Sequence, residues 1–133
     1  MVVGIGNDLL KIERMAATYE RTEGRIAQRI LGPQEYKVFL YRQQRNAKRG
    51  LAYLCTRFAA KEAFSKGVGL GMRFPMTWQS VQTLNDPSGK PYLTYHGAME
   101  AFMQEKGWIA EVTLTDETDI VSAVVIVSQK ESS

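Results

Sequence analysis

The stretch LAYLCTRFAAKEAFSK, residues 51–66, predicts the main element of the fold, one long helix with a continuous apolar side. Apolar residues recur there every three or four positions, the spacing that places side chains on one face of an α-helix. They are Leu51, Leu54, Cys55, Phe58, Ala59 and Ala63. Glycines follow at positions 67, 69 and 71, so we expect the helix to end in a glycine-rich loop.

The segments before this helix predict one short strand and two further helical stretches. Residues 2–6 form an apolar run that is typical of a buried strand followed by a polar turn. Residues 10–31 have helical spacing, with Gly24 as a point where the helix bends or splits. Pro33 begins another helix, and residues 42–50, RQQRNAKRG, are interpreted as a basic connector.

The second half of the chain has a different pattern, dominated by short alternating segments. In order, it predicts a strand over 78–84, a turn over 85–89, a strand over 91–95, a helix over 97–106 and strands over 112–115 and 121–127. Helices first and antiparallel strands later predict an α+β fold, in which an antiparallel sheet packs with helices. We expect a single domain spanning residues 1–133.

Composition excludes several classes of protein. The 133 residues are 44% hydrophobic and 23% charged, which are ordinary values for a globular domain and exclude a disordered chain. One cysteine excludes a disulfide framework, and one histidine excludes a His-rich metal site. No apolar run approaches the ~20 residues that a membrane span needs, and the N-terminus lacks the basic region of a signal peptide. We therefore expect a cytoplasmic protein with no membrane partner.

Positive charge is concentrated in the first half of the chain. Residues 11–66 hold 13 Lys and Arg against 5 Asp and Glu, whereas residues 67–133 hold 4 against 8. A basic half on a single domain indicates an acidic partner or a phosphorylated ligand. A solvated helical surface explains the same distribution equally well.

Glu62 is the most informative acid in the sequence. It lies at the edge of the apolar side of the predicted helix, where a partly desolvated carboxylate needs a cation or a metal beside it. Arg57, Lys61 and Lys66 place three bases on the same helix, directly before the glycine loop. This combination suits phosphate oxygens and Mg²⁺, which typically uses one or two carboxylates plus substrate phosphates. A surface ion pair between Glu62 and Lys66, four residues apart, is the simpler alternative.

Asp8 is the second acidic candidate. Because it follows the predicted first strand and precedes a helix, a metal ligand and a helix N-cap are equally good interpretations on local grounds. Gly69 and Gly71 would let the backbone approach a phosphate closely, and Lys90 is able to reach one from the predicted turn.

Five motifs occur in order along nearly the whole chain: GIGNDLLKIERM at 4–15, RILGPQE at 29–35, RFAAKEAFSKGVGLGMR at 57–73, NDPSGKP at 85–91 and VTLTDE at 112–117. Together they resemble the holo-[acyl-carrier-protein] synthase family, the small trimeric class of 4′-phosphopantetheinyl transferases. The FAAKEA core and the NDxxGKP turn are the most specific parts of this resemblance.

The resemblance implies a Mg²⁺-dependent transfer of the phosphopantetheine arm from coenzyme A to a serine of apo acyl carrier protein. The reaction would release adenosine 3′,5′-bisphosphate and support fatty acid biosynthesis. The family also implies a homotrimer in which coenzyme A lies between adjacent subunits. We expect no nucleic-acid partner, because aromatic residues are not interleaved with the basic ones.

The family motifs imply roles for particular residues. Asp8 and Glu62 would bind Mg²⁺, and Lys66 would contact the α-phosphate and help the leaving group. Either Glu62 or a metal-bound water would remove the serine proton, and the sequence leaves that choice open. The residues expected to line the nucleotide and its phosphates are Arg57, Lys61, Gly69, Gly71, Lys90 and Pro91. The residues expected to dock the acidic helix of the carrier protein are Arg14, Arg21 and Arg25.

Two departures from the family pattern and two alternative functions remain. Leu70 stands where the family has threonine, which removes a hydroxyl contact to phosphate but leaves the backbone donors of the loop. Asp116 stands where many members have histidine, so the role of that histidine does not transfer to this chain. One alternative is a related transferase that serves a polyketide or peptide-synthesis carrier. The other is a non-catalytic basic module that binds nucleic acid or an acidic protein.

Overall fold

The computed structural model describes residues 1–131. In chain order, its elements are β1 (Val2–Lys11), α1 (Ile12–Arg21), α2 (Arg25–Ile30), α3 (Pro33–Arg45), α4 (Ala47–Gly67), β2 (Val81–Asn85), β3 (Pro91–Tyr95), α5 (Ala98–Lys106), β4 (Trp108–Asp116) and β5 (Ile120–Gln129). None of the helices in this part of the chain has the length and apolar character needed to cross a membrane.

Two antiparallel sheets pack against the long helix α4. The larger sheet has the order β1-β5-β4, so the first strand of the chain pairs with the last, and Asp8 lies opposite Ala123. The smaller sheet is the β2–β3 hairpin. The inward side chains of β5 are fully buried beneath α4, and they are Val121, Ala123, Val125 and Val127. The predicted α+β class with antiparallel strands is confirmed.

Two glycines allow β1 to lie directly against the backbone of α4. A Cβ added at Gly4 would stand 1.9 Å from the main-chain oxygen of Gly67, and one added at Gly6 would stand 1.9 Å from that of Ala63. No side chain fits at such distances, so only glycine permits the contact. The close approach brings the middle of β1, and with it Asp8, onto the C-terminal half of α4.

Several predicted element boundaries are wrong. β1 does not end at residue 6, because its pairing with β5 continues as far as Lys11, which lies opposite Ile120. The helix predicted over 10–31 begins only after this strand, and it is split into α1 and α2 where Gly24 adopts a φ of +82°. The strand predicted over 78–84 is shorter and forms β2 from Val81 onward.

The basic connector predicted over residues 42–50 is also wrong, since only Asn46 separates α3 from α4. The Asn46 side chain accepts a hydrogen bond from the Arg49 amide at 3.1 Å and so caps α4. Gly50 allows the chain to reverse this sharply, because an added Cβ would stand 2.8 Å from the Cα of Gln43 on α3. The basic side chains of the segment therefore cover exposed faces of two helices.

Candidate active site

Asp8 and Lys66 meet where β1 crosses the C-terminal half of α4. The Asp8 Oδ1 atom is 3.3 Å from the Nζ atom of Lys66, and the same ammonium donates to the main-chain oxygen of Asn7 at 2.9 Å. Lys66 is thus paired with Asp8, 58 residues away in sequence, and this contact replaces the local pair with Glu62 that the spacing allowed. Asp8 lies inside a strand, so the N-cap interpretation is wrong.

Glu62 is half-buried on α4, close enough to Asp8 for their charges to interact. Burial raises the pKa of the Glu62 carboxyl, the negative charge of Asp8 raises it further, and the positive charge of Lys66 opposes both. A cation bound between the two carboxylates would remove their repulsion. The pair is therefore poised to accept a positive charge.

These two carboxylates form a donor set that fits Mg²⁺ and does not fit a closed zinc site. Mg²⁺ binds through one or two carboxylates and keeps its other positions for water and substrate phosphates. A structural zinc site uses four nitrogen or sulfur ligands, and residues 1–131 contain no cluster of three or more His, Cys, Asp and Glu side chains. Asp8 and Glu62 are the residues that could hold the ion.

The glycine loop after α4 is held by its own backbone. Gly69 and Gly71 have φ values of +81° and +60°, and open space surrounds both. The amides of Leu70 and Gly71 donate to the main-chain oxygen of Ser65 at 3.1 Å, and the Gly69 amide donates to that of Lys66. The backbone donors that we expected to remain for a phosphate are therefore already used to end the helix. The glycines instead leave the backbone beside Lys66 uncovered.

A second group of candidate residues lines a cleft of about 540 Å³ that is bounded by α3, α4, the β2–β3 hairpin and β4, which contributes Asp116. Arg57 and Pro91 both lie in its wall. The Arg57 guanidinium donates to the main-chain oxygen of Thr83 at 3.1 Å and to the side chain of Asn85, and it lies 4.1 Å from the centre of the Tyr53 ring. Three more cations line the same cleft, Arg42, Arg45 and Arg49. The cleft is therefore suited to a polyanionic ligand.

The two lysines expected at the nucleotide lie elsewhere. Lys61 points from α4 into the core, where its completely buried ammonium is 2.7 Å from Glu35 Oε1 and donates to the main-chain oxygen of Val81 at 2.5 Å. It has no surface to offer a ligand, so its predicted role is wrong. Lys90 is exposed beside the cleft wall, with its Nζ atom 3.6 Å from Glu111 Oε2.

Arg14, Arg21 and Arg25 form an exposed basic surface on α1 and the start of α2. Arg14 also lines an apolar groove of about 150 Å³. The apolar walls of this groove are Leu10, Met15, Ile26, Ile30 and Phe58. A basic surface with an apolar groove beside Arg14 suits a partner helix that carries both acidic and apolar side chains.

The arginines of the cleft that come from α3 and α4 were missed by the sequence analysis. Arg42, Arg45 and Arg49 fell inside the segment interpreted as a connector. The available signal was the dense positive charge of that segment together with its three- and four-residue arginine spacing, which is helical.

Comparison with protein families and relatives gives a consistent result. Residues 4–123 match the family model of the 4′-phosphopantetheinyl transferase superfamily. A holo-[acyl-carrier-protein] synthase of Polynucleobacter necessarius is 61% identical over 130 residues, covering 98% of this chain and 96% of that protein. One from Burkholderia mallei is 50% identical over 125 residues, covering 94% of this chain and 87% of that protein.

Solved structures extend the similarity to the fold. The crystal structure of holo-[acyl-carrier-protein] synthase from Neisseria meningitidis has a TM-score of 0.88 and 33% identity, covering 97% of this chain and all of that one. The structure of the Bacillus anthracis synthase in complex with CoA (3′,5′-ADP) has a TM-score of 0.81 and 26% identity, covering 98% and 99% of the two chains.

Proposed function

The chain belongs to the 4′-phosphopantetheinyl transferase superfamily, and we propose that it transfers the 4′-phosphopantetheine arm of coenzyme A to a serine of apo acyl carrier protein. The product would serve fatty acid biosynthesis, and the reaction releases adenosine 3′,5′-bisphosphate. The observation that carries the proposal is the meeting of Asp8, Glu62 and Lys66 where β1 crosses α4. Two acids and one base at an open surface are what a pyrophosphate and a divalent cation require.

Asp8 and Glu62 are the proposed ligands of Mg²⁺. When bound, the ion would neutralise negative charge on the pyrophosphate oxygens of coenzyme A. Lys66 is half-exposed beside Asp8 and is free to turn toward a phosphate, since its ammonium has three donors and two partners in the structure. The protein's own contribution is to hold these three groups in place before the substrate arrives.

The transfer forms a bond between the serine oxygen and the phosphorus that carries the pantetheine arm. It breaks the bond from that phosphorus to the oxygen joining the two phosphates, and the electron pair leaves with adenosine 3′,5′-bisphosphate. Lys66 offsets the charge that develops on the leaving phosphate. We assign Glu62 as the acceptor of the serine proton, because burial and the neighbouring charge of Asp8 raise the pKa of its carboxyl.

The cationic cleft beside Arg57 is the proposed site for the nucleotide end of coenzyme A. That end carries a 3′-phosphate and the pyrophosphate, and guanidinium groups match phosphate oxygens in a fork geometry. Arg57 and Pro91, which the motif implied at the nucleotide, line this cleft, and Lys90 lies next to it. The B. anthracis synthase with bound CoA (3′,5′-ADP) is a relative of the same fold.

We propose a homotrimer in which two subunits share each active site. Arg57, the cleft residue of α4 that lies nearest to Glu62 in sequence, precedes it by five residues, so the two side chains point about 140° apart around the helix. Asp8, Glu62 and Lys66 are absent from the lining of the arginine cleft. A neighbouring subunit would therefore bring a cleft to the carboxylates, within the reach of one coenzyme A.

The outer face of the larger sheet supports association between copies of the chain. Ile5 and Leu9 of β1 are 65% and 64% exposed, and Ile126, which lies opposite Ile5 on β5, is 41% exposed. Isolated domains rarely leave a continuous apolar sheet face in water.

The basic surface of α1 remains available for the acidic carrier protein. We propose that the reaction takes place in the cytoplasm.

Mass spectrometry of apo acyl carrier protein incubated with this protein, coenzyme A and Mg²⁺ tests the function. We expect the carrier to gain one phosphopantetheine. Asp8→Asn and Glu62→Gln should each lower the rate by about 10³, because each removes a ligand for the charge-neutralising ion. Glu100→Gln, on the exposed side of α5, is the control and should keep the wild-type rate.

The outcomes of this assay separate the alternatives. Wild-type rates in either carboxylate variant would contradict the metal assignment. Transfer to a polyketide or peptide-synthesis carrier, without transfer to the fatty-acid carrier, would change the assigned pathway. Salt-sensitive binding to nucleic acid without affinity for coenzyme A would favour the non-catalytic module.

A further inference from the structure

One edge of strand β2 is hydrogen-bonded by side chains instead of another strand. β2 pairs with β3 along one edge. On the other edge, the main-chain oxygen of Val81 accepts from Lys61, the amide of Thr83 donates to Glu35, and the oxygen of Thr83 accepts from Arg57. Buried backbone groups need such partners, and here two helices supply them.

Glu35 and Lys61 form the centre of this arrangement. Their side chains are completely buried and 2.7 Å apart. Glu35 Oε2 accepts from the Thr83 amide at 2.8 Å, and Oε1 accepts from the Gly32 amide at 2.9 Å, which also caps α3. Lys61 donates to Val81 at 2.5 Å. Both charges are therefore fully used inside the protein and are unavailable to a ligand.

Stability alone does not explain a buried ion pair at this position. Removing two charges from water is costly, and apolar residues of similar volume often make the fold equally stable or more stable. Apolar side chains, however, cannot hydrogen-bond the free edge of a strand. Beside Arg57 and the Gln82 side chain, which accepts from the amides of Gln34 and Glu35, the charged pair adds bonds to Val81 and Thr83 that fix where β2 lies on α3 and α4.

The position of β2 determines the shape of the arginine cleft. Asn85 ends β2, lines the cleft and receives a hydrogen bond from Arg57 on α4. The turn that follows contributes Gly89 and Pro91 to the same wall. A shift of β2 along or away from α4 would therefore move one wall of the cleft relative to its arginines.

We propose that Glu35 and Lys61 are positioning residues for nucleotide binding, which act by holding β2 so that the hairpin wall faces the arginines of the cleft. This inference rests on the proposed function, because it takes the cleft as the site for the nucleotide of coenzyme A. It assigns Lys61 a role inside the protein in place of the ligand contact that the sequence motif implied.

The test uses two double variants with different remaining hydrogen bonds. Glu35→Leu with Lys61→Met keeps the volume and removes the side-chain hydrogen bonds to the Val81 oxygen and the Thr83 amide, while Arg57 still donates to the Thr83 oxygen. Glu35→Gln with Lys61→Met keeps an oxygen that can accept from Thr83. Lys37→Met, an exposed lysine of α3, is the matched control. For each protein we would measure the unfolding temperature and the calorimetric Kd for 3′,5′-ADP. Kinetic assays would give kcat and the KM values for coenzyme A and for the carrier.

We expect the Leu/Met variant to bind 3′,5′-ADP about tenfold more weakly and to raise KM for coenzyme A by a similar factor, the effect of losing about one net hydrogen bond. KM for the carrier should not change. The Kd for 3′,5′-ADP and the KM for coenzyme A of the Gln/Met variant should lie between those of the Leu/Met variant and the wild type. Both values of the control should match the wild type. If the Leu/Met variant does not fold, the Gln/Met variant decides the question on the same readouts.

The inference and the proposed function fail in different ways. A wild-type protein that neither binds 3′,5′-ADP nor transfers phosphopantetheine would contradict the proposed function. A folded double variant with wild-type Kd for 3′,5′-ADP, beside an active wild-type protein, would overturn the inference. Equal losses in both KM values and kcat, together with a lower unfolding temperature, would also overturn it, because a general loss of structure predicts that result.

Discussion

Replacing Gly6 by alanine tests whether contact between β1 and α4 builds the active site. A Cβ at Gly6 would stand 1.9 Å from the main-chain oxygen of Ala63, and an ordinary protein contact needs at least 3.0 Å. The strand and the helix must therefore separate locally by about 1 Å, since both clashing groups belong to the backbone or are fixed to it. Gly6 has no positive φ, so backbone strain does not contribute.

The expected effect on stability follows from this clash. Overpacking of a close-packed interior costs typically about 1–3 kcal/mol, and we expect the upper end here because a helix carbonyl cannot rotate away. For a chain of 133 residues, this corresponds to a fall in unfolding temperature of roughly 10 °C. Differential scanning calorimetry measures it directly.

The effect on activity should be larger than the loss of stability explains. Asp8 lies two residues beyond Gly6 on β1, so the separation displaces its carboxylate from Lys66 and Glu62. A misplacement of about 1 Å in a catalytic group can lower the rate about 100-fold. We expect kcat/KM for carrier modification to fall by that factor at 20 °C, where the variant is still folded by circular dichroism.

Gly67→Ala is the matched control, because it adds the same methyl group to the same interface. Its Cβ would stand 3.1 Å from a methyl carbon of Val127, so it requires a shift of only a few tenths of an ångström, against about 1 Å at Gly6. Alanine also favours the helix by up to about 1 kcal/mol. We expect both the unfolding temperature and the activity to remain close to wild type. A Gly6→Ala protein with wild-type activity would show that the close contact between β1 and α4 is not needed to place Asp8.

Three further outcomes are expected. Arg14→Glu and Arg21→Glu should raise KM for the carrier about tenfold while leaving KM for coenzyme A unchanged, because these charges steer the acidic partner; equal changes in both would contradict the docking surface. Ile5→Asp should reduce the mass measured by sedimentation to that of one chain, whereas Tyr92→Ser, at an exposed position of β3, should leave it unchanged. An unchanged mass in Ile5→Asp would exclude the outer face of the larger sheet as the interface. Burial raises the pKa of Cys55 to about 12. At pH 8 its thiol should therefore stay protonated and unreactive toward a disulfide reagent until the protein is unfolded. Rapid labelling of the native protein would contradict this prediction.

Much of the fold was predictable because its signals are local. The apolar spacing over residues 51–66 predicted α4, and the turn chemistry of residues 85–89 predicted the β2–β3 hairpin. The errors lie where tertiary contacts override local pattern. Gly50 allows α3 and α4 to follow each other with one residue between them, and pairing with β5 extends β1 past the polar residues that resembled a turn.

The candidate site likewise combines features that the sequence predicts with features that depend on tertiary contacts. The chemical identity of its groups is a property of the sequence: Glu62 and Lys66 on one helix, Asp8 after an apolar run, and a dense set of arginines between residues 42 and 57. Local spacing could not show which of these charges face solvent, because α4 is covered on more than one side. Of two neighbouring residues on α4, one is therefore buried and the other remains partly exposed.

Lys61 and Glu62 illustrate this most clearly. Sequence placed both beside a phosphate site, yet Lys61 is completely buried against Glu35, and Glu62 remains half-exposed near Asp8. Successive helix residues point about 100° apart, so the packing of β2 on one side and β1 on the other decides their roles. The helix and its reactive groups thus follow from local sequence. Which of the groups meet depends on the fold, because Asp8 and Lys66 are 58 residues apart and are joined by a contact that glycine alone permits.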